Sequence, residues 1–342
     1  MTLKRLLVSG GCLRANGFEL GEGKYYERAV LAMLDLESGS FTEVLSKSDG
    51  GEHYPAEHPN QQFTAACLDG DVLWLPTDTE ILKYRLPEFE LLACYSHPCF
   101  HNVHSVKVFG DQLGVTSTGL DNIVLLNKHT GNIDKIVNTQ GKDPWHRFDP
   151  NKDYRVVHST RPHDSHPNYL FELEGRLWVT RCSTEDAVCL DDVNDRIDLG
   201  EGEDISAHDG LWWQGQLVFT RVDGKLIVCD PAKRKVIENH DPFRLQRNRP
   251  KGWCRGLFIT GDMFYIGFSR LRKTNLKAKL KFLSQGNFKY GAGNNALVVA
   301  YNMKSQQVEG VYEAPSGVID AIYGVLPYPY NITAAPQYGT TS

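Results

Sequence analysis

The chain has 342 residues, with 41% hydrophobic and 23% charged residues and a formal net charge of -5. This suffices for one large or two ordinary domains with a true core, and it argues against a disordered tail protein and against broad binding of nucleic acid. No apolar run approaches the roughly 18–20 residues that cross a bilayer, and the N-terminal MTLKRLLVSGG has too short an apolar stretch for an ordinary signal peptide, which points to a cytoplasmic chain without a transmembrane segment.

Long amphipathic helices are scarce, and the chain reads as short alternating strands closed by Gly or Asp-Gly turns. It opens with two strand-like segments, RLLVSGG and RAVLAMLDLESGSFTEVL. Five segments then align without gaps as strand, tight glycine turn, strand: TAACLDGDVLWLP (64–76), HSVKVFGDQLGVT (104–116), NYLFELEGRLWVT (168–180), HDGLWWQGQLVFT (208–220) and RGLFITGDMFYIG (255–267). A third strand follows each: EILKYRL, NIVLLN, DAVCLD, KLIVCD and NALVVAYN. The repeat from residue 64 to 104 is 40 residues, as is that from 168 to 208, the spacing of four-stranded propeller blades. Near the C-terminus, VIDAIYGVLP (318–327) looks like an innermost strand lacking its blade, and joining it to the N-terminal strands completes a sixth. The expected fold is an all-β six-bladed β-propeller, one domain over residues 1–342 with insertions at about 141–165 and 271–294. Two β-sandwiches, the alternative, accommodate the gapless repeats and split terminal blade less well. The eight cysteines show no CxxC, and several lie in apolar strands, so buried reduced thiols are expected.

In a propeller the innermost strands line the central channel. The aligned first positions are Thr64, His104, Asn168, His208 and Arg255, with Asp320 as a sixth. Two residues earlier, on the same face by alternation, stand Gln62, Asn102, His166, Ser206 and Trp253. His101, His104, His166 and His208 thus fall at or beside the channel entrance on three successive blades. Neutral imidazoles converging from separate strands can hold Zn, Mn or Fe, so His104, His166 and His208 are candidate ligands of a divalent transition metal, with His101, His104, His166, His208 and Arg255 as candidate catalytic groups. A hydrogen-bonded polar plug is the alternative. Arg181, Arg221 and Arg270, with Arg255, can surround an anionic group because guanidinium matches carboxylate, sulfate or phosphate; Asn168 and Trp253 complete the candidate substrate-binding set. Each arginine can equally pair with a carboxylate of the fold, such as Asp78, Asp121 or Asp223. The insertion at 141–165 leads directly into an inner strand and can cover the entrance. The second insertion is rich in Lys and Arg over 270–289 with no acid, which makes it a solvated lid or a site for an acidic partner or a membrane surface.

The segment HNVHSVKVFGDQLGVTSTGLDNIVLLNKHTGNI (101–133) resembles a blade of bacterial aryl sulfotransferases. That resemblance implies a six-bladed enzyme with a channel histidine as sulfuryl carrier, here His104 or His208. GRLWVTR and GQLVFTRVDGKLIVCD look like blades of streptogramin-lyase-type propellers, which implies elimination promoted by a divalent metal and a channel histidine. Three readings follow. The first is a metal-dependent lyase or hydrolase acting on an anionic small molecule or saccharide; the second is a group transferase with a histidine nucleophile; the third is a non-catalytic binding scaffold.

Overall fold

The computed structural model describes residues 3–200, 206–244, 252–270 and 295–330. The strands form six four-stranded antiparallel sheets arranged as a six-bladed propeller. Blade 2 runs outward through Cys67–Asp69, Val72–Pro76, Ile81–Arg85 and Glu90–Tyr95. Blade 3 uses Val103–Phe109, Gln112–Ser117, Asn122–Asn127 and Ile133–Asn138, and blade 4 uses Pro167–Leu173, Arg176–Arg181, Asp186–Cys189 and Arg196–Asp198. Blade 5 comprises Ala207–Trp213, Gln216–Arg221, Leu226–Asp230 and Lys235–His240; blade 6 comprises Cys254–Thr260, Met263–Phe268, Leu297–Asn302 and Gln307–Glu313. Blade 1 closes the ring from both ends of the chain: the innermost strand Ala321–Tyr328 pairs antiparallel with Arg5–Leu13, followed by Tyr26–Asp35 and Phe41–Lys47. Pairing with Ala321–Tyr328 covers the edge that Arg5–Leu13 would otherwise present to another chain.

Among the described residues an apolar cluster fills each of the six interfaces between consecutive blades. Trp178 and Phe171 of blade 4 meet Phe219 of blade 5, and Tyr301 and Phe264 of blade 6 pack with Val218 of blade 5. The alternation seen in each segment puts apolar side chains on both faces of the inner and middle strands, and each face is covered by the next blade. All eight cysteines are free, and Cys254 is buried, with burial pushing its thiol well above the usual range. Among the described residues no helix is long and apolar enough to cross a membrane.

One irregularity repeats around the ring and positions the channel residues. In blades 3 to 6 the inner strand slips against its neighbour near its start: between Val103 and Val106, Pro167 and Leu170, Ala207 and Gly210, and Cys254 and Leu257. In each case three steps on the inner strand match two on its partner, which is a β-bulge. The bulges fall at His104, Asn168, His208 and Arg255. A threonine on the second strand satisfies the loosened backbone: Thr116 Oγ1 accepts the N–H groups of His104 and Ser105 (3.0 and 2.7 Å), Thr180 Oγ1 that of Tyr169 (3.1 Å), and Thr220 Oγ1 that of Asp209 (3.1 Å). Blade 6 has Gly267 at that position, and there the bulged Gly256, at φ +78°, donates instead to Asp209 Oδ2 of blade 5 (2.7 Å). Only glycine takes that φ without strain.

Candidate active site

At the channel mouth lies a cavity of about 290 Å³, toward the lower end of the size of small-molecule sites. Its wall includes both aligned rings: Gln62, Asn102, His166, Ser206 and Trp253 from the first, and His104, Asn168, His208 and Arg255 from the second. His101 lines it too. Thr64 is fully buried and outside the lining. The sixth position belongs to Tyr323 rather than Asp320. The pairing of Arg5–Leu13 with the inner strand slips between Ser9↔Gly324 and Gly10↔Ile322, leaving Tyr323 as the extra residue on the channel side. Asp320 instead accepts from Arg270 (3.2 Å) and from the Leu13 N–H (2.9 Å).

The expectation that Arg181, Arg221 and Arg270 join the site needs correcting, because none of them lines the cavity. Arg181 stands opposite Asp186 in the register of blade 4 and forks onto both carboxylate oxygens at 2.8 and 2.6 Å. Arg221 forks onto Asp223 (3.1 and 2.9 Å) and Arg270 pairs with Asp320. These guanidinium groups are spent within the fold.

Arg255 differs. It is buried, its Nε has no hydrogen-bond partner among the described residues, and its guanidinium lies over the rings of Tyr323 (4.7 Å) and Trp253 (5.5 Å). The other arginines of the cavity wall are matched by acids, Arg155 by Asp153 and Arg161 by Glu22. Among the described residues Arg255 forms no ion pair with a carboxylate. Two aromatic faces stabilise its charge while its donors stay available to an anion.

The imidazoles form a connected series. His163 Nδ1 and His166 Nδ1 lie 2.7 Å apart, so one donates and the other accepts. Ring centroids then separate His166 from His104 by 5.1 Å and His104 from His208 by 6.1 Å. Desolvation is the main cause that holds His104 and His166 well below the histidine range, with neighbouring imidazoles and Arg255 adding to it, and it also lowers His208. His101 and His163 are pushed down to about 4 by the same cause. The five rings are therefore neutral at pH 7.

Hydrogen bonds set the state of two of them. Asn168 Nδ2 donates to Ala207 O (3.4 Å), which turns Asn168 Oδ1 toward His104 Nδ1 at 2.8 Å; Nδ1 must carry the hydrogen, and Nε2 is left with the lone pair. His101 Nε2 donates to Val157 O (3.0 Å), and its Nδ1 edge abuts Gly119, where any Cβ would fall 2.0 Å from Nδ1. Among the described residues the nitrogens of His208 make no hydrogen bond, although Nδ1 is 3.3 Å from Asp209 Oδ2, whose oxygen is taken by Thr220 and Gly256. Among the described residues no three His, Cys, Asp or Glu side chains are grouped as a ready-made metal site.

The 141–165 segment lies over the cavity, contributing Arg155, Val157, His158, Ser159, Arg161 and His163 to its wall. Asp121 anchors its end, accepting the N–H groups of Asp164, Ser165 and His166 at 2.8, 2.9 and 2.7 Å and Arg147 Nη1 at 3.1 Å. Although burial pushes the Asp121 carboxyl up, these donors hold it below the usual carboxylate range. Asp164 pairs with Arg147 and not with a channel histidine. The second insertion, 271–294, with the expected basic partner site at 270–289, lies outside the described residues apart from Arg270. Tyr323 and the amide-bound Asp78 are cavity residues that strand patterning does not single out, because each owes its place to a loop or a register slip.

No family model and no curated protein matches the chain. Solved structures share its fold across nearly its whole length. A protein of unknown function from Bacteroides caccae superposes with a TM-score of 0.60 at 10% identity, covering 96% of this chain and 100% of that one. A chain of a nidogen/laminin complex superposes with a TM-score of 0.50 at 13% identity, covering 94% and 97%. Identities this low establish the propeller and carry no chemistry. They give no specific support to a tie with aryl sulfotransferases or streptogramin lyases.

Proposed function

We propose that this propeller is an enzyme acting on a carboxylated small molecule or saccharide in its channel, by acid–base elimination. The observation that carries this reading is Arg255, a buried guanidinium without a carboxylate partner among the described residues, on the same cavity wall as an imidazole whose lone pair is set free by Asn168. A guanidinium on a substrate carboxylate stabilises the enolate-like charge that develops when the neighbouring carbon loses its hydrogen. His104 Nε2 is the acceptor for that hydrogen, and its burial keeps it unprotonated. Trp253 and Tyr323 shield the ion pair from water, which strengthens it.

Glucuronate, glucose and oligosaccharides containing uronic acid are the probes. Glucuronate should bind at least about tenfold more tightly than glucose, a difference of ~1.4 kcal/mol, and Arg255→Met should abolish that preference. Incubation with the oligosaccharides should generate the ultraviolet absorbance of a new carbon–carbon double bond, and His104→Ala should remove it. Equal binding of acid and neutral sugar, with no unsaturated product, would sink the reading.

His208 favours a second reading, because both its ring nitrogens are buried and, among the described residues, make no hydrogen bond, with Nδ1 facing the Asp209 carboxylate at 3.3 Å. In it His104, His166 and His208 hold a divalent transition metal, Zn, Mn or Fe, after their rings turn to converge. Neutral imidazoles are the ligand form such ions need, and the metal would polarise a substrate carboxylate or carbonyl. Elemental analysis after repletion with each metal should find one equivalent in the native protein and little in His104→Ala or His166→Ala; substoichiometric metal in the native protein rules this reading out.

A further inference from the structure

Blade 2 contributes to the cavity a carboxyl group that takes no part in the reading so far. Asp78 lines the cavity and is buried, in a tight turn whose shape is held by Thr77: its N–H donates to Glu80 O at 2.8 Å, and its Oγ1 accepts the N–H groups of Thr79 (3.2 Å) and Glu80 (2.9 Å). The neighbouring Glu80 is engaged elsewhere, by Tyr54, His53 and Lys47. Among the described residues the Asp78 carboxyl meets only neutral amides, Asn60 Nδ2 at 2.7 Å and Gln62 Nε2 at 2.6 Å. Burial, opposed by these two donors, pushes it up to about 7.

The two amides are not equivalent. Asn60 is pinned, since its Oδ1 accepts the Tyr26 N–H at 3.0 Å. Gln62 is not, because its Oε1 is buried without a partner. A half-turn of that amide exchanges its donor for its acceptor, so Gln62 can face a carboxylate with its NH₂ or a carboxylic acid with its carbonyl. The surroundings of Asp78 thus accommodate both protonation states without leaving an Asp78 oxygen unmatched, as a group that gives up and regains a proton requires.

We propose that Asp78 is the proton donor of the elimination, and that the bond it helps to break ends in an unactivated oxygen, such as the alkoxide of a sugar. This rests on the reading of the cavity given above. His104 Nε2 takes the hydrogen from the carbon beside the substrate carboxylate, and the C–H electron pair becomes the new double bond. The carbon–oxygen bond breaks with its pair on oxygen, and that oxygen takes the Asp78 proton. An imidazolium and a carboxylate remain, and exchange with water returns both to their starting forms. A sulfuryl transfer from an aryl ester, whose phenolate departs unaided, has no use for such an acid.

Two uronate substrates test this, one with a sugar at the departing oxygen and one with a nitrophenolate there. Asp78→Asn, which keeps the shape and, with the Gln62 amide turned to offer its carbonyl, both amide contacts, should lower turnover of the sugar substrate by about 10²–10⁴-fold, leave its KM within a few-fold, and spare most of the nitrophenolate turnover. His104→Ala should lose both. In parallel, carbon-13 spectra of the native protein labelled on aspartate should show one carboxyl titrating near neutrality, which also decides the matter if the variant fails to fold. Equal loss of both substrates in Asp78→Asn, no loss of either, or titration of every aspartate in the ordinary range overturns the role of Asp78. A native protein inert toward both substrates overturns the reading of the cavity itself.

Discussion

Burial of imidazoles makes the protein's stability depend on pH in a direction that can be worked out residue by residue. Desolvation is the leading cause lowering His101, His104, His163, His166 and His208. For His101 the fall is from 6.5 to about 4. Between those values the unfolded chain binds protons that the folded chain refuses, so stability rises with pH through that window and is lost on acidification. At about 1.4 kcal/mol per unit, the fully enclosed His101 alone accounts for roughly 3 kcal/mol. Asp78 acts in the opposite sense. Its folded carboxyl keeps a proton from 3.8 up to about 7 that the unfolded one releases, so its contribution falls as pH rises through that range. Five imidazoles outweigh one carboxyl, and the midpoint of urea unfolding should climb steeply between about pH 4 and 6.5. A flat profile there would refute the assignment of neutral buried histidines.

Single side chains reach the channel because whole strands are bent in the same way. A regular inner strand would alternate its side chains between the two blade interfaces; the bulge interrupts that alternation and re-aims one residue per blade. Thr116 stabilises the bulge of blade 3 by accepting two N–H groups while donating to Ser105 O at 3.2 Å. Thr180 serves the next bulge and also donates to His208 O at 2.8 Å, which links blade 4 to blade 5. Thr116→Val preserves shape but strands two buried N–H groups, which should cost about 1–3 kcal/mol for each. Denaturant unfolding measures the cost, and loss of the glucuronate preference in the same variant shows whether His104 has moved. A substitution that is neutral in both assays would mean the bulge is held by the neighbouring blades alone.

The ring as a whole depends on the pairing of strands from opposite ends of the chain. Ala321–Tyr328 supplies the inner strand of blade 1 and packs against blade 6, so it closes two interfaces and brings Tyr323 over Arg255. A chain ending at residue 320 should expose the edge of Arg5–Leu13 and the apolar faces beside it. Its expected behaviour is self-association on size exclusion and loss of the single cooperative heat transition. A truncated chain that stays monomeric and unfolds cooperatively would show that five blades and a remnant suffice.

Repeats of strand, glycine turn and strand state the architecture openly, because alternation and turn chemistry are local: RGLFITGDMFYIG reads as a hairpin without reference to anything else in the chain. The split blade was legible for the same reason, from an inner-type strand at one end and outer-type strands at the other. Much of both polar rings was legible as well, since one bulge repeated at one position in blades 3 to 6 keeps aligned residues aligned; His104, Asn168, His208 and Arg255 share the cavity wall on that account, whereas Thr64 and Asp320, at the same aligned position, do not line it. Pairwise fates were not. Arg181 and Arg255 look alike along the chain, yet register sets Arg181 against Asp186 and leaves Arg255 between two aromatic rings. Asp78 belongs to no motif, and its proton depends on how completely Asn60, Gln62 and the neighbouring blade exclude water. Strand direction and turn are written in adjacent residues, whereas partner choice and local dielectric arise from side chains that meet only when the ring closes.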